Sequence, residues 1–245
     1  MALQPAHSTF SARRQLEVEL SRMAALVESQ LQGAITAFER RDVAAAENLI
    51  PNDARVNEFD RDIETRVMAL LAAELLPAEL LREVMTIMKL TGELERVGDL
   101  AKNIAKRTLV VSREAPSRPA MGVARMGRAS LRQFSDILDA YATRNLDAAK
   151  AVWGGDDEVD ELYNSVFQEI TLAMIADSSK VNACTHLVFI AKNFERVGDH
   201  ATNIAEAIYF LETGSPFVES PQKSDEAATG AAAPPRQSGG AFGMN

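Results

Sequence analysis

Two identical strings, ERVGD, stand at residues 95–99 and 195–199, and each sets a glutamate and an aspartate four residues apart: Glu95 with Asp99, and Glu195 with Asp199. Asn103 and Asn203 follow after a further step of four. On a helix such steps bring side chains onto one face, about 6 Å apart along the axis, so each string becomes a ladder of oxygen-bearing groups. Shorter ladders stand upstream, Asp53 with Asn57 and Asp156 with Asp160. Like charges four apart on an exposed helix repel by roughly 0.2–0.5 kcal/mol, so the arrangement asks for a compensating cation. A donor set made only of oxygen favours Mg²⁺, Mn²⁺, Ca²⁺ or iron, a divalent or trivalent hard ion, over zinc or copper. The alternative is a salt-bridged face with Arg96 and Arg196 as partners, each rotated about 100° from its glutamate but long enough to reach back. An isolated ExxxD belongs to that second class. Repetition at equivalent positions favours a specific role.

Other chemistry finds little support. His200 follows Asp199, but Leu100 holds the matching place in the first copy, so a shared ligand role is not expected. Cys184 and His186 lie two apart on a helical stretch and do not face each other, which leaves Cys184 as a small buried thiol rather than a nucleophile. No GxxxxGK[ST], GxGxxG, HExxH or CxxC occurs, and no Glu-x-x-His of the ferritin-like di-iron type. Lys and Arg number 26 against 35 Asp and Glu, a net charge of −9 that disfavours nucleic acid and anionic lipid and favours cations. The single cysteine excludes an internal disulfide, and the N-terminal stretch has no apolar run of the signal-peptide kind, which suits a reducing cytoplasm. No run approaches the ~20 apolar residues of a membrane span, so any membrane association is peripheral.

The elements that must position the ladders are helices. Apolar residues recur at steps of three and four over 10–41, from the break at Pro51 to Pro77, and over 78–111, 121–143, 156–176 and 181–211. No strand-length alternation is present, so the chain reads as all-α with six long helices. Gly92–Arg107 aligns with Lys192–Ala207 at an offset of 100 residues, and Arg41–Phe59 aligns with Arg144–Leu162 at an offset of 103. A connection near Pro77 that is three residues longer in the first copy accounts for the difference. Two tandem three-helix bundles therefore span 10–112 and 117–213, joined at SREAPSRP. Gly98 and Gly198 interrupt the ladders at a cost of about 1 kcal/mol each relative to Ala, which calls for close helix approach. Beyond Val218 there is no Leu, Ile or Val, and 214–245 reads as a disordered tail whose removal after Val218 should leave stability unchanged.

The doubled E-R-V-G-D followed by A-x-N-I-A, together with MAALVESQLQGAITAFERRD, VNEFDRDIE, DDEVDELYN and HLVFIAKNFERVGDHATNIAEAI, resembles the PhoU family over nearly the whole chain. The resemblance implies two three-helix bundles side by side, metal ions at the E/D-x-x-x-D stripes, a tendency to form homodimers and no catalytic activity. It also implies repression of the phosphate-starvation response when phosphate is plentiful, through a high-affinity phosphate ABC transporter with its ATPase and a membrane sensor histidine kinase. Glu95, Asp99, Glu195 and Asp199 match the family motif directly. Asn103, Asn203, Asp53, Asn57, Asp156 and Asp160 are weaker, supporting ligands. Asn57 stands where the second copy has Asp160, and its neutral amide lowers the ligand charge of the first site.

Overall fold

A computed structural model describes residues 4–73, 75–155 and 157–217, with side chains from residue 11 onward. The long helices are α1 (Gln4–Arg40), α3 (Asp53–Ala73), α4 (Ala78–Val111), α5 (Arg118–Ala142), α7 (Asp157–Ala176) and α8 (Val181–Thr213). Two short helices, α2 (Val43–Leu49) and α6 (Leu146–Gly154), stand between the first and second long helix of each unit. Periodicity does not disclose them, since they are barely two turns of mostly small residues. Among the described residues there is no strand.

The duplication extends to backbone detail. Each first helix ends in an arginine in the left-handed region, Arg41 at φ 57° and Arg144 at φ 53°. The next residue then caps the short helix: the carboxylate of Asp42 accepts from the Ala45 amide at 2.9 Å, and the side chain of Asn145 accepts from the Ala148 amide at 3.0 Å. The chain passes from Ala73 to Ala78 in the first unit, but from Ala176 to a single 3-10 turn at Ser178 in the second. The extra residues lie where the two offsets differ.

Contacts along the helices set their directions. Arg13 pairs with Glu83 and Arg41 donates to the Ser112 carbonyl, so α1 and α4 run parallel. Glu93 meets His200 while Arg107 lies over the Phe189 ring at 4.1 Å, so α4 and α8 run antiparallel. The pairs Glu28–Ser135 and Glu39–Arg128 make α1 and α5 antiparallel as well. The units therefore face each other about an approximate two-fold axis, with α1, α4, α5 and α8 inside and α3 and α7 outside.

One contiguous apolar cluster fills the space between them, including Met23, Val27 and Leu31 of α1, Leu94, Val97 and Ile104 of α4, Phe134 of α5 and Phe194 of α8. The core does not divide at the linker, so each unit buries its apolar face partly against the other. Close approach explains two of the helical glycines. A Cβ on Gly98 would lie 3.2 Å from Val56 Cγ1, which lets α3 rest directly on α4. A Cβ on Gly127 would lie 2.7 Å from Cζ of the fully buried Phe194. The ordered chain also runs past the expected boundary at 214: Phe217 packs with ring centroids 4.4 Å from Trp153 and 4.6 Å from Tyr209, because those rings leave an apolar seat beside the end of α8. Residues 218–245 lie outside the described residues.

Two glycine substitutions should act in opposite directions. Gly127→Ala drives a methyl into an immobile ring and should lower stability by about 1–3 kcal/mol. Gly92→Ala meets nothing within 4 Å and should raise it by up to about 1 kcal/mol. Thermal melts of the two variants check both signs.

Candidate functional site

In the first unit the ladder on α4 faces the start of α3. Asp53, the first residue of α3, is buried, and Lys102 of α4 reaches it: Nζ donates to Asp53 Oδ2 at 2.7 Å and to Asp99 Oδ1 at 2.6 Å. Asn57 donates to the same Asp53 oxygen at 3.3 Å, while the other, Oδ1, is buried without a hydrogen-bond partner. Burial acts to lower the Lys102 pKa, but the bonds and charges of Asp53 and Asp99 outweigh it and hold the amine above its ordinary value. Glu95 is less well served. Burial, then the charge of Asp99, with Asp60 and Asp53 adding, pushes its carboxyl up, and Arg96 opposes only from 3.6 Å on a mostly exposed side chain. Asp60 is also raised, by burial and then by Glu64.

The second unit answers its charges differently. Lys192, half-exposed on the same helix, lies 2.7 Å from Glu195 and 5.3 Å from the centre of the Tyr163 ring. Tyr163 occupies the place of Asp60 and lifts no carboxylate toward the ladder. Asp160 and Asp199 are both half-buried, on α7 and α8. Asp156 lies outside the described residues. Thr202 stands where the first unit has Lys102, and its hydroxyl donates back to the Gly198 carbonyl at 3.2 Å.

The two ladder asparagines part company. Asn103 is exposed. Asn203 instead donates to Glu93 Oε2 at 3.2 Å, and the same oxygen lies 2.6 Å from His200 Nδ1. The Asn203 amide is thus engaged in the contact between the units rather than in the acidic ladder, because α8 is rotated so that Glu93 of α4 faces it. His200 serves the same contact, as a structural histidine. Burial acts to raise the Glu93 pKa, but the hydrogen bonds from His200 and Asn203 overcome it and the net shift is downward. Cys184 is buried, with its thiol pushed up by burial, and His186 is held down by burial and by Arg107. Neither trend activates a nucleophile.

Among the described residues no three His, Cys, Asp or Glu side chains converge as a metal-binding group. In the first unit the carboxylates of Asp53 and Asp99, on facing helices, share one ammonium. Three participants escape the sequence reading: Lys102, Asp60 and Glu93. Asp60 continues the α3 ladder three residues past Asn57, and Lys102 follows Asp99 by three, so both carried a local signal. Glu93 did not, since its partners are 107 and 110 residues away.

Fold and stripes together define an internally duplicated, all-helical protein that carries oxygen donors on the last long helix of each unit. The family described as PhoU domain matches twice, over residues 20–108 and 123–208. A Caulobacter vibrioides protein described as a phosphate-specific transport system accessory protein PhoU homolog is 42% identical over 211 residues, spanning 86% of this chain and 92% of that one. A Rhizobium meliloti protein of the same description is 38% identical over 80% of this chain and 83% of its own. The crystal structure of PhoU from Pseudomonas aeruginosa superposes with a TM-score of 0.81 at 29% identity, covering 84% of this chain and 99% of that one. A PhoU structure from Streptococcus pneumoniae does so at 0.77 and 27% identity, covering 85% and 99%. The chain belongs to the PhoU family.

Two substitutions read the electrostatics. Glu95 has a raised folded-state pKa, so its charge opposes folding at neutral pH. Glu95→Gln should raise the melting temperature in chelator by relieving about 0.2–0.5 kcal/mol of repulsion, with the gain fading as pH falls into the carboxylate range. Glu93 is depressed, so its contribution is present above its unfolded pKa and lost as pH falls through the folded one. Glu93→Gln should therefore lower the melting temperature at pH 7, and the gap to the parent should close in acid.

Proposed function

We propose that the chain regulates phosphate uptake by binding rather than by catalysis. It holds the phosphate-starvation response off when phosphate is plentiful, by joining the ATPase of a phosphate ABC transporter to a membrane sensor histidine kinase on the cytoplasmic side. The observation that carries this reading is the 42% identity, across 86% of the chain, to a relative described as a phosphate-specific transport system accessory protein homolog. Among the described residues no helix is long and apolar enough to cross a membrane, which accords with docking onto partners. Exposed apolar side chains stand at the two equivalent helix turns, Met68, Leu75 and Leu81 in the first unit and Leu172, Ile175 and Val181 in the second, and supply contact area for a partner or a second copy.

In this reading the second stripe holds a hard metal ion, Mg²⁺, Mn²⁺ or iron, through Glu195 and Asp199 of α8 together with Asp160 of α7. The donors are all oxygen and unite two helices, so a bound ion ties α7 to α8 and steadies the face they present. The net negative charge directs any effect on transcription through the kinase rather than through DNA.

Deleting the gene should raise alkaline phosphatase and transporter expression in phosphate-rich medium, and removing the kinase as well should restore repression. Unchanged expression in the single deletion, or derepression that persists without the kinase, would refute the proposal.

A further inference from the structure

We infer that Lys102 is the resident cation of the first stripe: its ammonium fills the place between Asp53 of α3 and Asp99 of α4, and that unit folds closed to metal. The inference rests on the reading that these stripes exist to hold positive charge. It assigns the charge in the first unit to the chain itself.

The geometry is that of an interhelical bridge. Nζ lies 2.7 Å from Asp53 Oδ2 and 2.6 Å from Asp99 Oδ1, and the Lys102 and Asp53 side chains are only 21% and 11% exposed. A hard divalent ion bound to the same two oxygens would sit at about 2.0–2.6 Å from each, within contact of the ammonium. Two cations cannot share that position. A second departure points the same way. Asn57 replaces the carboxylate that Asp160 supplies in the other unit and donates its amide hydrogen to Asp53, as a group does when facing an anion already served by a cation. Lys102 for Thr202 adds a positive charge beside Asp53 and Asp99, and Asn57 for Asp160 removes a negative one there; the extra acid of the first unit, Asp60 for Tyr163, bears on Glu95 instead.

Lys192 does not close the second unit in the same way. It pairs with Glu195 three residues along its own helix, is 47% exposed and meets α7 only over the Tyr163 ring at 5.3 Å, so its departure for solvent breaks no ion pair between two helices. Lys102 cannot leave without stranding buried Asp53, whose Oδ1 already lacks a hydrogen-bond partner. That orphaned oxygen is also what an ion would find if the ammonium were removed.

The test follows Mn²⁺ by equilibrium dialysis with metal analysis, and by thermal melts with Mn²⁺ or with chelator, on the full-length chain. Lys102→Thr copies the second unit, and Lys102→Met keeps the apolar stem in case the first variant folds poorly. In chelator both should melt below the parent. With Mn²⁺ each should bind one more ion per chain and regain the lost stability. That gain should survive Asp199→Asn, which disables the second stripe, and should vanish when Asp99→Asn is added. An unchanged melting temperature in chelator, or no Mn²⁺ gain in Lys102→Thr and Lys102→Met, overturns the inference while leaving metal at the second stripe intact. So does Mn²⁺ binding by the Asp199→Asn single variant that Asp99→Asn then abolishes, since it means the first stripe accepts metal beside Lys102. A parent that ignores Mn²⁺ while Lys102→Thr with Asp199→Asn binds it refutes metal at the second stripe and upholds Lys102 as the occupant of the first.

Discussion

Carboxylates on α4 and α8 cannot move apart, because the helices that bear them are held along their length by a shared apolar core. Val97 and Ile104 of α4, and Val197 and Ile204 of α8, are fully buried beside the ladders. Rotating either helix to separate its acids would expose that seam, and burial of a single such side chain contributes about 1.5–3 kcal/mol, several times the repulsion between neighbouring acids. The repulsion is therefore tolerated by the backbone and must be met by positive charge brought to it. Gly98 sharpens the constraint by letting α3 approach closely enough for Asp53 to face Asp99.

Duplication supplied the same constraint twice, and the units diverged in how they satisfy it. The first uses a lysine from within the ladder helix to bridge to the preceding helix. The second keeps a hydroxyl at that position, pairs its glutamate with a surface lysine, and on the facing helix carries Asp160 where the first has Asn57 and Tyr163 where the first has Asp60. The core positions, by contrast, match closely between copies, as do the left-handed arginines and the caps of the short helices. The changes of charge fall on side chains at the shoulders of the packed faces, where they do not disturb packing, while buried exchanges such as Leu94 for Phe194 stay apolar.

The interface between units shows a related asymmetry. Glu93, His200 and Asn203 form a polar lock between α4 and α8, whereas the corresponding positions hold Asn193, Leu100 and Asn103. A charged cluster in one half and an apolar residue in the other keep the halves from being interchangeable.

Six long helices, their duplication and the acid ladders were all legible in the sequence, because helical periodicity and steps of four are properties of neighbours along the chain. The close approach expected at Gly98 was equally legible, since an interior glycine has a local cost that only packing offsets. What occupies the space between helices was not. Lys102 lies 49 residues from Asp53, and Asn203 lies 110 from Glu93; which of these meet depends on the rotation and depth of each helix, set by how the buried apolar residues interlock. Asn203 looked like the third rung of a ladder and became part of an inter-unit contact for that reason. Phe217 stood in a stretch too poor in apolar residues to announce its own structure, and only the rings of Trp153 and Tyr209, brought together by α6 and α8, gave it a place. Local spacing determined which faces carry charge, and tertiary packing decided which charges meet.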